Sequence, residues 1–285
     1  MRSTSRKLLL SLSTFIFALV TLFGATFAWF TAADTATVTS FNLSINSGDN
    51  LLIKNSAGTF VTNLTAADVL ALYNAKHSTT LTDLDEVKLS PLTSKDGETF
   101  YLEQKTTTYA DSARRYTPGA AGMFYLDLDI TIRALVPMDV HLLSGTTAMF
   151  VSTVSRAGAY RASFYDNTTL LKIWESDAPV AANDSLERAG NFITPSGPAA
   201  GLDLGGQTTT SALYNYESAA ADSTVNSRLL QNMAAYSGTT PTTGTHANDK
   251  TITVRIWIEG WDILTTDDLK TDSLAVNLRF IGVTI

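Results

Sequence analysis

The chain has 285 residues, which is enough for one large β domain, and it contains no cysteine. That composition excludes disulfides, thiolate metal ligands and thiol nucleophiles. The net charge is −7; with the three basic residues of the first seven positions set aside (20 − 3), 17 basic residues face 27 acidic ones. An acidic body without a basic run argues against nucleic acid and anionic lipid as partners.

The N-terminal segment has the pattern of a secretory signal. A basic start, "MRSTSRK", precedes 26 uncharged residues, and "ATFA" puts small or short residues at the −3 and −1 positions of a cleavage site. This pattern predicts a signal peptide, with a hydrophobic helix, over residues 1–28 and a cut between Ala28 and Trp29. The competing interpretation is an uncleaved membrane anchor, because a run of this length can span a bilayer. The small residues beside the cut favour cleavage, since an anchor gains nothing from them.

A strand is predicted directly after this segment, in "TATVTSFNLSI". Its apolar anchors are Val38, Phe41, Leu43 and Ile45, and its Thr-rich composition without proline favours β structure. The alternation is imperfect between Val38 and Phe41, which leaves the register open. Two roles also stay open: the strand completes its own sheet, or it pairs with an exposed sheet edge of a neighbouring subunit.

The hydrophobic run, "GATFA", the aromatic residue after it and the short polar link into a strand resemble the N-terminus of the TasA/camelysin group of Gram-positive matrix proteins. Signals of that group are processed by a dedicated SipW-type signal peptidase, so the resemblance implies a mature chain that starts at Trp29. It also implies an exported matrix protein that forms fibres with itself or with other surface proteins. The camelysin side of the group is described as a metallopeptidase.

Two short helices are predicted as insertions. The first, "TAADVLALYNA", has Thr65 as its N-cap and an apolar stripe through Val69, Leu70 and Leu72. The second covers residues 222–236, where apolar residues recur at helical spacing.

Strand signals dominate the rest of the chain. Period-two alternation is clean in "MFYLDLDITIRALV", "TITVRIWIE" and "SLAVNLRFIGVTI", and weaker strands lie between them. This pattern predicts an all-β fold, a two-sheet antiparallel sandwich of jelly-roll type, formed by residues 29–285 as a single domain. Within it, the Ala-, Thr- and Gly-rich stretch at about 177–250 is predicted to be a long surface excursion.

The stretch "IWIEGWDILTTDD" is the most distinctive internal segment. Its two tryptophans, Trp257 and Trp261, are candidates for a glycan-stacking platform. Its oxygen ligands could hold calcium, and the candidate ligands are Glu259, Asp262, Asp267 and Asp268. The structural alternative is a strand that ends in a glycine turn, with both tryptophans covering an edge of the sandwich.

No other constellation indicates chemistry. The three histidines are far apart in sequence, with His141 expected in a strand and His77 and His246 in polar loops. Asp127 and Asp129 are expected on the outward face of a strand, either solvated or paired with a basic residue across the sheet. The sequence therefore predicts no catalytic residue, no cofactor and no enzyme.

Three functions follow from these observations. The first is a secreted or cell-surface structural protein, a biofilm-matrix or fibre-forming subunit that assembles by strand addition and touches the membrane only through its N-terminal segment before cleavage. The second is a glycan-binding surface module that uses Trp257 and Trp261. The third is a camelysin-type metallopeptidase.

Overall fold

The architecture was analysed in a computed structural model. It describes residues 35–45, 50–92, 94, 97–104, 115–118, 124–142, 149–155, 157–175, 214–216, 229–259, 269 and 271–285. All of these residues belong to one compact unit that starts at Thr35.

Strands make up most of the described chain. They are β1 (Ala36–Ile45), β2 (Leu51–Lys54), β3 (Phe60–Val61), β4 (Asn63–Leu64), β5 (Lys88–Leu89), β6 (Pro91–Leu92), β7 (Tyr101–Gln104), β8 (Arg115–Pro118), β9 (Leu126–Ala134), β10 (Met138–Leu142), β11 (Phe150–Ser152), β12 (Tyr160–Asp166), β13 (Thr169–Glu175), β14 (Tyr214–Tyr216), β15 (Leu229–Met233), β16 (Lys250–Glu259) and β17 (Ser273–Thr284). The described ranges also contain one α-helix, α1 (Ala66–His77), and two 3-10 turns, Leu84–Glu86 and Ala157–Ala159.

Two sheets account for most strands of the described part. The first sheet has the order β15-β10-β17-β1-β4, with β11 also on β17 and β5 also on β1. The second has the order β14-β13-β12-β16-β9-β2-β3, with β6 also on β16, while β7 and β8 form a separate pair. The prediction of an all-β, two-sheet sandwich is therefore confirmed.

The core lies between the two sheets and follows the predicted alternation. The inward residues of β9, β16 and β17 are all buried, and they are Leu126, Leu128, Ile130, Ile132, Ile252, Val254, Ile256, Ile258, Leu274, Val276, Leu278 and Phe280. Strands with one regular inward face are the elements that period-two patterns predict best.

Strand direction differs from the prediction at three places. The pairs β1–β17, β13–β14 and β16–β6 are parallel, whereas the other pairs are antiparallel. Alternation reports which face of a strand is buried but not the direction of its neighbour, so these parallel pairs leave no signature in the sequence.

Helix α1 is confirmed, together with its cap. Thr65 accepts a hydrogen bond from the Asp68 main chain, and the Asp68 carboxylate accepts one from the Thr65 main chain, which completes a capping box. Val69 and Tyr73 point into the core. The sequence rule worked here because a capping box is a local device that involves only four consecutive residues.

The second predicted helix is wrong over its described part. Residues 229–233 form β15, which pairs with β10 around a bulge between Val140 and His141. The bulge turns both Leu230 and Met233 toward the core although they are three residues apart. A bulged strand can therefore imitate helical spacing. The structure also places β14 and β15 within 177–250, so this stretch contributes strands to both sheets and is not only a surface excursion.

Candidate functional site

Strand β1, the first candidate, lies inside the first sheet. One edge pairs in parallel with β17 from Thr37 opposite Ser273 to Ile45 opposite Phe280. The other edge pairs with β4 and β5. The bulge that broke the sequence alternation lies between Val38 and Ser40. The chain's own β1 therefore fills the strand position between β17 on one side and β4 and β5 on the other, and we call this position the β1 lane.

The four predicted anchors of β1 face the core. Val38 and Phe41 are fully buried, Leu43 is 1 % exposed and Ile45 is partly buried. Because the bulge inserts one residue, Val38 and Phe41 share a face despite their spacing of three. Removing this strand would expose three buried apolar side chains and the core groove that holds them.

A buried carboxylate fixes the start of the β1 lane. The Asp272 main-chain oxygen accepts the Thr37 N–H at 3.1 Å. Its carboxylate accepts the Tyr160 hydroxyl at 2.7 Å and the Thr153 hydroxyl and N–H, both at 2.8 Å. Burial alone would raise the pKa of Asp272, but hydrogen bonds from Ser152, Tyr160 and Thr153 outweigh it and lower the pKa below its usual value. Asp272 thus joins β17 to β12 of the second sheet.

Trp257, part of the second candidate, is fully buried. It points away from the main core into a smaller cluster with Leu92, Phe100, Tyr125 and Ile173. Its indole N–H donates to Glu259 Oε2 at 3.1 Å, and the ring of Phe100 meets its edge at 5.1 Å. An indole covered in this way presents no face to a sugar ring. This contradicts the part of the stacking-platform prediction that rested on Trp257.

Glu259 is 5 % exposed, and its carboxylate binds the indole within the protein. The remaining predicted residues of this stretch and of the cleavage site lie outside the described residues, and they are Ala28, Trp29, Trp261, Asp262, Asp267 and Asp268. Within the described ranges no group of three or more His, Asp or Glu side chains is placed to hold a metal ion.

A serine, a histidine and an aspartate lie together in the loop 234–249. Ser237 Oγ is 3.2 Å from His246 Nε2, while His246 Nδ1 accepts the Asn248 N–H. That acceptor role puts the ring proton on Nε2, so the ring donates to Ser237 and cannot take its proton. The Asp249 carboxylate binds the His246 main chain and not the ring. The trio therefore shapes the loop and lacks the geometry of a nucleophilic triad.

Arg133 fastens the same loop to the second sheet. Its side chain is 1 % exposed and forms a bidentate pair with Asp249 at 2.7 and 2.8 Å. Its remaining N–H groups donate to the main-chain oxygens of Pro241, Thr243 and Gly244. The guanidinium also lies over the rings of Phe60, at 3.8 Å, and Tyr236, at 4.4 Å. We call this group the Arg133 anchor.

Lys76, at the end of α1, fastens the helix to the same sheet. Its ammonium lies 2.7 Å from Asp127 Oδ1 and 2.6 Å from Asp129 Oδ1, and the adjacent His77 Nε2 contacts the Asp127 carbonyl at 2.9 Å. Arg255 Nε approaches Asp127 at 3.7 Å without a hydrogen bond. We call this group the Lys76 anchor. Both aspartates pair with a basic residue, but Lys76 reaches them from α1 and not from a strand across the sheet as expected; the cross-strand residue Arg255 approaches Asp127 alone.

Sequence reasoning missed these anchoring residues for a common reason. Arg133 lies 116 residues from Asp249, Asp272 lies 112 from Tyr160, and Lys76 lies 51 from Asp127. A single sequence carries no signal that pairs such distant positions. The sequence offered one hint of the Arg133 anchor, which is that Arg133 stands at an outward position near the end of the strongly apolar strand β9.

The described fold defines the class as a two-sheet β-sandwich. Comparisons with models of protein families, with curated proteins and with solved structures find no match. Among the residues that the structure describes, no helix has the length and apolar character needed to cross a bilayer.

Proposed function

We propose that the protein is an exported structural subunit of the cell surface or an extracellular matrix, which assembles into fibres by exchange of β1 between copies. The observation that carries the proposal is the place of β1. It is the first strand of the compact unit, joined to the body through its Ile45 end, yet it fills an internal position of the first sheet. A terminal element with these contacts is the kind that identical subunits can swap.

The equilibrium free energy and the barrier of strand exchange determine when β1 can move between subunits. A swapped strand makes the same contacts in a neighbour as in its own subunit, so the equilibrium cost of exchange is small. The barrier is large, because freeing β1 exposes Val38, Phe41 and Leu43, which costs roughly 5–9 kcal/mol for three buried side chains. Exchange should therefore be slow between folded monomers and faster when chains fold side by side at high concentration.

The resemblance at the N-terminus supports the same setting. A signal peptide over residues 1–28, removed by a SipW-type peptidase, would deliver the chain outside the cell with β1 close to its new start. The proposal includes a jelly-roll-like connectivity of the sandwich and other copies of the chain, or other surface proteins, as partners. The cysteine-free, acidic composition suits an extracellular protein that needs no disulfides.

A reversible lock on β1 tests the proposal. Asn42 and Asn277 are opposite each other in the β1–β17 ladder, with their side chains in hydrogen-bond contact at 3.1 Å. The double variant Asn42→Cys/Asn277→Cys should form a disulfide that holds β1 in its own subunit, and the chain has no other cysteine to interfere. Secreted protein from cells that express the full chain is imaged by electron microscopy before and after reduction.

The matched control places a disulfide elsewhere. Thr131 and Thr251 are opposite each other in the β9–β16 ladder of the second sheet, and Thr131→Cys/Thr251→Cys leaves β1 free. We expect fibres from the wild type and the oxidised control, none from the oxidised β1 lock, and fibres again after its reduction. Fibres from the oxidised β1 lock would refute strand exchange, and absence of fibres from the wild type would refute the structural role.

A further inference from the structure

The outward face of β17 changes character along the strand. Its first four outward residues are polar or small, and they are Ser273, Ala275, Asn277 and Arg279. The next outward residues, Ile281 and Val283, are apolar and partly exposed, and Ile285 beyond them is 77 % exposed. We call these three residues the β17 stripe. Adjacent apolar side chains in water are a common mark of an interaction surface.

The β17 stripe begins where the β1 lane ends. Ile45, the last residue of β1, is opposite Phe280, and β17 continues to Thr284. Among the described residues no strand pairs with this last part of β17 on the side of β1, whereas β10 pairs with it on the other side. Within the described part of the chain, the end of β17 thus presents one unpaired edge as well as apolar side chains.

The parallel direction of the two strands decides what meets this surface. Because β1 and β17 run the same way, a strand that fills the lane ends beside Phe280, at the end of the lane where the β17 stripe begins. When a neighbour supplies the strand, the neighbour's body must lie at this end of the acceptor.

From this geometry we infer that the β17 stripe is a docking surface for a second copy of the chain, namely the body of the subunit whose β1 fills the lane. The inference rests on the proposed exchange of β1 and names the second contact between successive subunits. Donor and acceptor present different surfaces, so the contact is heterologous and repeats along an open fibre.

The test replaces the apolar stripe while keeping β propensity. In Ile281→Thr/Val283→Thr both new residues are β-branched and fit an outward strand position. Each also adds a hydroxyl group, and burying that group in an interface without a hydrogen bond costs free energy. We expect the critical concentration for fibre formation, measured by light scattering on secreted protein from the full chain, to rise about tenfold. The thermal midpoint of the soluble subunit should stay within about 2 °C of the wild type.

A control variant exists on the same face of the same sheet. Val151 is 45 % exposed and lies opposite Ala275, near the other end of β17. Val151→Thr removes an apolar group that is more exposed than Ile281 and Val283 but lies away from the lane's end, so it should leave the critical concentration unchanged. Ile285→Thr alone, at the most exposed position of the stripe, keeps the test valid if the double variant lowers the thermal midpoint.

The outcomes separate the two ideas. Fibres from the wild type with an unchanged critical concentration in both stripe variants would refute the docking surface and leave strand exchange standing. An equal rise of the critical concentration in Val151→Thr would also refute the docking surface, because fibre formation would then depend on the apolar character of the surface in general. If the wild type and the oxidised Thr131→Cys/Thr251→Cys control form no fibres, the proposed function fails and the docking surface with it.

Discussion

The Arg133 anchor holds the loop 234–249 on the second sheet, and the Lys76 anchor holds α1 on the same sheet, but they do so in different ways. Arg133 is enclosed, and all five of its N–H groups find acceptors in the loop 234–249. Lys76 is 21 % exposed and shares two carboxylates, of which Asp129 is 46 % exposed. We expect the free energy that each cation contributes to depend on how many of its hydrogen-bond partners are buried, and not simply on whether it forms an ion pair.

The largest effect is expected from Arg133→Met. The substitution leaves Asp249 and three main-chain oxygens without their donor, and breaking a buried pair on one side costs about 3–5 kcal/mol. Urea unfolding followed by circular dichroism measures the loss. The control is Lys250→Gln, because Lys250 is 40 % exposed and 3.9 Å from Asp166, and its loss should stay below about 0.5 kcal/mol. Similar losses in both variants would contradict the comparison.

A smaller loss is expected from Gly238→Ala in the same loop. A Cβ at this position would lie 2.1 Å from the Tyr236 hydroxyl, and Tyr236 cannot move freely because Arg133 lies over its ring. Overpacking of this kind costs about 1–3 kcal/mol. Thermal unfolding measures the loss, and Thr239→Ala, at an exposed neighbouring position, is the control. A neutral Gly238→Ala would show that the loop is less firmly fixed than the Arg133 contacts imply.

Lys76→Met should cost less, about 1 kcal/mol, because the methionine keeps the apolar stem and solvent reaches Asp129, which is 46 % exposed, whereas only Asp127 is buried. Asp127 also keeps Arg255 at 3.7 Å. The same urea titration measures this loss, and a value equal to that of Arg133→Met would overturn the ranking of the two anchors.

The smallest difference is expected in the acid dependence of stability. Burial alone would raise the pKa of Asp249 and of Asp129, but hydrogen bonds from Arg133 to the first and from Lys76 and Thr253 to the second outweigh it, so both values lie below the ordinary 3.8. A lowered folded-state pKa gives stability that is complete above the unfolded value and is lost as the pH falls through the folded one. The stability that these two carboxylates contribute is therefore lost at pH values below about 4.

The two anchors can be separated in that range. Unfolding free energies between pH 2 and 6 should fall less steeply in Asp249→Asn than in the wild type, and Asp129→Asn should change the slope less because its carboxylate is more exposed. Identical slopes for the wild type and both variants would contradict the assigned role of these carboxylates.

Local rules predicted the parts of the fold that local residues determine. Thr65 correctly predicted the start of α1, and regular alternation predicted the buried faces of β9, β16 and β17. Bulges defeated the same rules. One bulge blurred the register of β1 at Val38, and another gave Leu230 and Met233 the spacing of a helix.

The candidate site was less predictable because its properties depend on distant parts of the chain. Trp257 lies in a stretch whose composition suits a surface platform, but residues from distant parts of the chain, among them Phe100 and Tyr125, make it a core residue. For β1 the sequence identified the four anchors but left its partner open, since a parallel neighbour that is 235 residues away leaves no local trace.

The pairing of β1 with β17 also constrains how the chain can fold. Strand β1 has no partner along its longer paired edge until residues 273–280 have been made. Contacts of such high sequence separation form late and slow the rate-limiting step. A chain that lacks β17 therefore cannot complete this sheet.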